Sequence, residues 1–592
     1  MNLTPEERAN GRDNYYDAVG TSRRDFLKSV VGGGLATGVG LGAYYFGYAK
    51  VDNPVRVGVI GTGDEGNVLI GSITPEYLEV KSIADIRPSS IHRAFHGDWA
   101  SPTAAAIRKG LMNVYDWKTE DEARKHVKVF TPENGGYQEL LKDPDIEAVV
   151  IALPLHLHAK VAIEAMKAGK HVLTEKLMAH NVAQCKVMGQ TANQLDLHLA
   201  TGHQRHYSVL YDNAVNLIRW GLLGELHHIR AQWHRGNLPG RDSWQQPMPG
   251  GEPIAETPGK IRDRIAIELG RYQAAVKKEK DPKVANLLNK KIAQWTAWDS
   301  DKGVVAEDFG YETITLPNGR LRPALEELIR WRLWNRTGGG LMAELGSHQL
   351  DAASIFISAM SQEKVYPLSV HALGGRHTFP LDREAEDHVY CMFEFPAPGY
   401  DPKFDTGYKD IVSGYPKDGV PPYEDDKNKK IVVSYSSING NGYGGYGEVV
   451  MGTKGTLVLE KEKEVMLFKN NTTAKVKTKD GDGGPTMDTQ DSDDTAGPVA
   501  QAAEGPVSRG YTEEMEHWAY CIRNKDPENK PRCHPNVAMG DAIIALTSNV
   551  AIHNANSGKA GFVKFEKSWF DIDDPSTPDG SSVEEERKSL GA

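Results

Sequence analysis

Glu344, His348 and Asp351 stand at i, i+4 and i+7, directly after the run Gly338-Gly339-Gly340. A helix over this stretch carries all three on one face. Carboxylates beside an imidazole fix its orientation and raise its basicity, which suits proton transfer near neutral pH. The same spacing serves a structural ion-pair set equally well, or two ligands of a metal ion, for which no third ligand is evident. Lys176 is the second chemical candidate. With Glu175 it ends an apolar run beginning at His171, where its ammonium can face a nicotinamide or polarise a substrate oxygen. Leu153, Pro154, His156 and His158 close the preceding apolar run, Ala148–Leu153, and fall on the same sheet edge, where open α/β sheets bind their ligands.

These residues need a scaffold, and its start is written in Val55–Gly66, VRVGVIGTGDEG. A buried parallel strand runs into Gly61-Thr62-Gly63-Asp64-Glu65-Gly66, a G-x-G-x-x-G turn. Such a turn lets backbone approach a pyrophosphate and aims a helix N-terminus at its charge. A helical stretch, Asn67–Ile73, and a second strand, Val80–Ala84, follow, ending at Asp85. That carboxylate lies 24 residues after Gly61, close to the ~20 expected of a group that grips the adenosine ribose. The alternation of β-branched runs with helical periodicity continues to about Lys176, which is βαβ rhythm.

Beyond residue 200 the pattern becomes two-residue alternation, in His227–Trp233, Asp387–Phe395, Ile431–Ile438 and Thr456–Glu460. That predicts a largely antiparallel sheet with one open face. The fold class is thus α/β, a doubly wound parallel sheet followed by an α/β domain with a large antiparallel sheet. The expected boundaries are 1–50 for a leading segment, 51–176 for the nucleotide domain and 177–580 for the second domain. Insertions fall near 240–335, 396–430 and 478–508, and C-terminal helices over 511–525 and 535–556. The first insertion is charged and helical from Pro258 to Ala297; Pro396–Lys430 and Asp480–Pro506 read as long loops.

The leading segment carries Ser22-Arg23-Arg24-Asp25-Phe26-Leu27-Lys28, the form of a twin-arginine export signal. The weakly apolar run Val30–Tyr48 follows, and seven of its 19 residues are glycine, so it suits a signal core better than a spanning helix. Removal after Ala49 and retention as a membrane anchor are both open. The expectation is an exported, periplasmic protein handled by the twin-arginine machinery, a route that carries folded proteins together with their cofactor. A net charge of −11 with no long Lys/Arg run gives no electrostatic case for nucleic acid. The four cysteines, Cys185, Cys391, Cys521 and Cys533, lack C-x-x-C spacing, so no metal site is expected. Buried free thiols are expected, although an oxidising compartment would allow Cys521 to pair with Cys533.

Together the glycine turn, Pro154 with His158, Glu175-Lys176, Gly202-His203-Gln204-Arg205, the Glu344/His348/Asp351 helix and a late hairpin at Gly447–Leu459 resemble the Gfo/Idh/MocA oxidoreductases. The resemblance covers nearly all of residues 54 to 565 apart from the insertions. It implies that Lys176 touches both nicotinamide and substrate, that His348 is the acid–base histidine, and that Glu344 orients it. It also implies a homo-oligomer, dimer or tetramer. On this reading Gly61, Thr62, Gly63, Asp64, Glu65, Gly66, Asp85, Arg87, Leu153, Pro154, His156, His158, Glu175, Lys176 and Arg205 serve the cofactor. Lys176, Arg205, Tyr207, Trp233, His234, His348 and Asp351 serve a carbohydrate. Asp85 favours a tightly held NAD, while Arg87 keeps NADP open. The chain departs from the family pattern at Leu177, where proline is usual, at Glu344, where aspartate is usual, and at Leu155, where asparagine is common. A cis bond before Leu177 would cost about 3 kcal/mol. Hydride transfer at a secondary hydroxyl of a sugar, cyclitol or glycoside is the first expectation. A glycosidase that oxidises transiently, eliminates and re-reduces is the second, and a non-catalytic sugar-binding protein the third.

Overall fold

The computed structural model describes residues 4–13, 45–48, 51–254, 257, 259–361, 363–403, 427–462, 464–469, 478–479, 486–487, 500–501, 509–526 and 529–592. The arginine motif Ser22–Lys28, the cleavage position Ala49 and most of the two long loops lie outside them.

Short β-branched runs that must be buried on both faces form a parallel sheet. Its strands are β1 (Val55–Ile60), β2 (Leu78–Ala84), β3 (Lys128–Phe130), β4 (Ala148–Ile151), β5 (His171–Glu175) and β6 (Leu199–Gly202), in the spatial order β3-β2-β1-β4-β5-β6. Val59 of β1 sits between Ile83 and Val150, and both neighbours are parallel to it. Strand order reverses at the β1/β4 junction, so a crevice opens above the carboxyl ends of those two strands. β6 corrects the expected boundary at residue 176. Leu199-Ala200-Thr201-Gly202 is a full member of this sheet, paired with Val172–Glu175, and the domain runs past Gly202. Four residues with a single β-branched side chain carry too little pattern to be read as a strand.

Alternating residues build the second sheet from β7 (Leu226–Trp233), β8 (Ser369–Gly375), β9 (His388–Pro396), β10 (Lys430–Ile438), β11 (Tyr446–Gly452), β12 (Gly455–Glu460), β13 (Glu464–Lys469), β14 (Ala500–Gln501) and β15 (Phe562–Lys564). Their order is β14-β13-β12-β11-β7-β10-β9-β8-β15, and all neighbours are antiparallel except β7 with β10. Inward residues such as Ile229, Val389, Phe393 and Val433 are fully buried, while Leu373 and Met392 stand exposed on the open face.

Helices fill the space between the sheets. α1 (Pro5–Asp13), α2 (Asp64–Gly71), α3 (Pro88–His96), α4 (His158–Lys167) and α5 (Val182–Leu195) are followed by the pair α6 (Arg264–Val276) and α7 (Pro282–Ser300) of the first insertion. α8 (Ser347–Ser358), α9 (Tyr511–Arg523) and α10 (Pro535–Asn556) complete the set used here. α8 and α10 cover the inner face of the second sheet, and α5 packs on α10, which joins the domains. α1 is part of this body. Glu7 is buried against Arg532 at 3.1 Å and His517 at 3.1 Å, and Tyr45 and Phe46 are fully buried, with Phe46 3.8 Å from the Arg532 guanidinium carbon. All four cysteines are buried free thiols, so Cys521 and Cys533 do not pair.

Candidate active site

The β1–α2 turn follows from its glycines. Gly61 takes φ +86°, and a Cβ there would meet the Ala152 carbonyl oxygen at 2.4 Å. A Cβ on Gly66 would meet the Gly61 oxygen at 2.1 Å, so the helix can begin only where glycine lets it touch the turn. At Gly63 a Cβ would face open space, and no side chain caps α2. Backbone N–H groups are therefore free at a helix start, which is the arrangement that accepts a phosphate. Asp64 would oppose an anion there. Burial would raise its pKa, but Arg93 and Arg108 hold it well below the carboxylate range, and Arg93 pairs with it directly. Asp85 accepts the Thr62 N–H at 2.7 Å and the Arg87 N–H at 2.8 Å.

The crevice is one cavity of about 910 Å³. It runs from Gly61, Gly63, Asp64, Glu65, Asp85 and Arg87 past Leu153, Pro154 and Glu175 to Lys176, Trp233, Glu344 and His348. Thus the nucleotide turn and the proposed acid–base residues share one chamber, large enough for a dinucleotide and a small substrate. The buried turn, the uncapped helix and the ribose-height carboxylate fit an NAD molecule at the turn end.

At the other end the Lys176–Leu177 peptide is cis, and the Lys176 Nζ donates to the Glu344 carbonyl at 2.8 Å. Burial lowers the His348 pKa well below 6.5, and the cationic Lys176 and Arg205 lower it further, so the imidazole is neutral at pH 7. Its ring lies 5.2 Å from that of Trp233. Glu175 is pushed up to about 8 by burial and by Glu65, against Lys176. Its Oε2 accepts the Lys176 N–H at 3.0 Å, and its buried Oε1 has no partner. A carboxyl in that state is protonated at pH 7.

Several expected roles need correcting. Glu344 does not orient His348 by a hydrogen bond. Met342–Gly346 forms a π-helical turn before α8, and the Glu344 carboxylate accepts from Arg332 Nε at 2.9 Å. Against burial, Lys176 and Arg332 keep that carboxyl ionised. Asp351 turns away from the chamber to His206 Nε2, 2.7 Å distant. Arg205 is 1 % exposed and bound to Glu462 at 3.0 Å beneath Trp233, so it supports the wall and does not reach a ligand. Tyr207 is fully buried, its hydroxyl accepting the Cys533 N–H at 3.3 Å, and His234 Nδ1 accepts the Ile438 N–H. His158 bridges the Leu153 and Leu177 carbonyls at 2.8 and 2.9 Å, shaping the strand ends from behind. His156 packs edge-on against Tyr311 outside the chamber, and Thr62 and Gly66 act from within the turn.

Other wall residues had no motif to announce them. The first insertion contributes Trp244, Gln246, Gln294, Trp298, Tyr311, Trp331 and Arg332. Asp301, fully buried after α7, accepts from Arg87 Nε at 2.9 Å, Ser89 N at 2.9 Å and Ser89 Oγ at 2.6 Å. Gln294 accepts the Trp99 N–H and donates to Asp98. The insertion is thereby stitched to the adenosine side of the crevice.

Known proteins agree with this geometry in the first domain. Residues 55–203 match the family model described as oxidoreductase family, NAD-binding Rossmann fold. A Glycosyl hydrolase family 109 protein of Solibacter usitatus is 27% identical over 221 residues, 36% of this chain and 46% of that protein. An uncharacterized oxidoreductase of Rhizobium meliloti is 32% identical over 192 residues, 31% of this chain and 47% of that one. The chain spans less than half the length of these curated relatives. Among solved structures, an NAD binding oxidoreductase from Klebsiella pneumoniae superposes with TM-score 0.47 at 15% identity, covering 87% of this chain and 99% of that one. Levoglucosan dehydrogenase in complex with NADH gives 0.46 at 16%, covering 87% and 100%. Through residues 55–203 the chain matches the model of an oxidoreductase family, and its first domain is an NAD-binding Rossmann domain.

Proposed function

We propose that the protein oxidises a secondary hydroxyl of a sugar, cyclitol or glycoside to a ketone, or reduces such a ketone, with a tightly held NAD. The observation that carries this reading is the single chamber joining the Gly61–Gly66 turn to Lys176 and His348. A bound nicotinamide supplies hydride exchange, and the chain's own residues handle the proton. His348, neutral at pH 7, accepts the hydroxyl proton. The Lys176 ammonium, anchored on the Glu344 carbonyl, stabilises the negative charge that grows on the same oxygen, a contribution of several kcal/mol in a dry site. The Arg332–Glu344 pair holds the floor on which Lys176 rests. Trp233, Trp244 and Trp331 offer apolar faces to C–H groups, and Arg235, Gln246 and Arg332 offer donors to hydroxyls, which suits a polyhydroxylated ligand. Glu175, protonated at pH 7, would help to hold a bound nicotinamide.

The test begins with the nucleotide. Denaturing the purified protein and weighing what is released should yield near-stoichiometric NAD. Turnover of sugar pairs without added nucleotide should follow. A protein that is empty and binds neither NAD nor NADP would overturn this reading.

A glycosidase with transient oxidation is the second reading, favoured by the relatives named Glycosyl hydrolase family 109 protein. It predicts release of free sugar from a glycoside with no electron acceptor consumed. Export through Ser22–Lys28 is likewise proposed, and fractionation of cells expressing the full chain, with Arg23 and Arg24 replaced by lysine as the comparison, tests it.

A further inference from the structure

Away from the chamber, buried donor atoms meet where β6 ends and α10 begins. His203 follows β6, Cys533 precedes α10, and Asp541 lies within it. A ring nitrogen of His203, the Cys533 sulfur and a carboxylate oxygen of Asp541 lie within 4.8 Å of one another, on residues exposed by 1 %, 0 % and 1 %. His203 Nε2 and Asp541 Oδ2 have no hydrogen-bond partner, and Cys533 is a free thiol. Leaving one buried polar atom unsatisfied costs about 1–3 kcal/mol, so two converging beside a free thiol call for a common partner.

We propose that His203, Cys533 and Asp541 bind one divalent ion of the zinc type. A nitrogen, sulfur and oxygen donor set selects zinc or cobalt over magnesium or calcium. Asp351 Oδ2 lies 3.6 Å from His203 Nδ1, in the position of a carboxylate that orients a ligating histidine. The charges also balance. Lys364 holds the other oxygen of Asp541, so a dication, one thiolate, the carboxylates of Asp351 and Asp541 and that lysine sum to zero charge. A small surface cleft is lined by His206 and Lys364, the neighbours of Asp351 and Asp541. Binding replaces the thiol proton with the metal and sends one proton to solvent, so affinity rises with pH. The rival is a network in which His206 and Lys364 pair with Asp351 and Asp541 without any metal. The ligands come from segments 330 residues apart, which is why cysteine spacing along the chain gives no sign of them.

The test uses the full chain. Elemental analysis of the purified protein should find about one zinc per chain. After chelation, cobalt titration should saturate at one equivalent, with a thiolate-to-cobalt charge-transfer band and about one proton released per ion. Cys533→Ser should abolish the band and weaken cobalt binding at least about 100-fold, beyond the 10- to 100-fold cost of losing an outer-shell partner. Cys391→Ser should keep both. No binding by the unsubstituted protein, binding without the band, or a band that survives in Cys533→Ser overturns the proposal. If Cys533→Ser does not fold, the titration and proton count of the unsubstituted chain decide alone. None of these readouts depends on sugar turnover.

Discussion

Burial sets the charge of the chamber's proton carriers before a substrate arrives. His348 is held neutral by desolvation and by the cations around it, so it can accept a proton down to a pH well under 6.5. Glu175 carries its proton up to about 8. The sign of each effect fixes a profile. Oxidation needs the unprotonated imidazole, so kcat/KM falls only as pH drops below 6.5 toward the depressed value. Cofactor contact needs the protonated carboxyl, so the second decline comes as pH rises through about 8. A plateau between them is expected. Glu175→Gln keeps a neutral donor and should remove the alkaline decline; an unchanged decline would refute the role of Glu175. His348→Asn should lower kcat by about 10²–10⁴ while released-NAD content stays near that of the parent. Helical spacing shows which of Glu344, His348 and Asp351 share a face, but not which distant groups arrive to claim them. Arg332 takes Glu344 and His206 takes Asp351, so the orienting role read from spacing fails, while the placement of Lys176 and His348 in one chamber does not.

At the scale of elements, the insertion reaches the residues expected to select the nucleotide. Arg87 would welcome a 2′-phosphate if it were free, but Asp301 from the end of α7 holds it and adds a second carboxylate beside Asp85. Asp301→Asn should raise the affinity for NADP relative to NAD about tenfold, the effect of roughly 1.4 kcal/mol, read by equilibrium binding to nucleotide-free protein. It should also speed release of bound NAD, since the stitches to Ser89 loosen. The glycine turn was legible because backbone geometry alone demands those residues. That the charged segment near Pro258–Ala297 forms helices was legible from composition. What α7 packs against was not, because Gln294 meeting Asp98 and Trp99 is a tertiary event with no local pattern.

For the whole molecule, the most unexpected contact lies at its start. Arg532 is fully buried, and Glu7 is the carboxylate that neutralises it. Burial would raise the Glu7 pKa, yet Arg532 and His517 hold it well below the usual range. Glu7→Gln should therefore cost about 3–5 kcal/mol, the price of leaving a buried charge unpaired, measured by denaturant unfolding. The double change with Arg532→Met should recover much of that loss. If Glu7→Gln alone is neutral, α1 does not hold its place in solution.

The same contact orders events in time. Glu7 and Arg532 are 525 residues apart, so the first helix leaves the ribosome long before its seat exists. At roughly 5–20 residues per second, the gap is about half a minute to two minutes. Throughout that interval Glu7 is open to other partners. Once the segment before α10 folds, any such partner must displace Arg532 from Glu7.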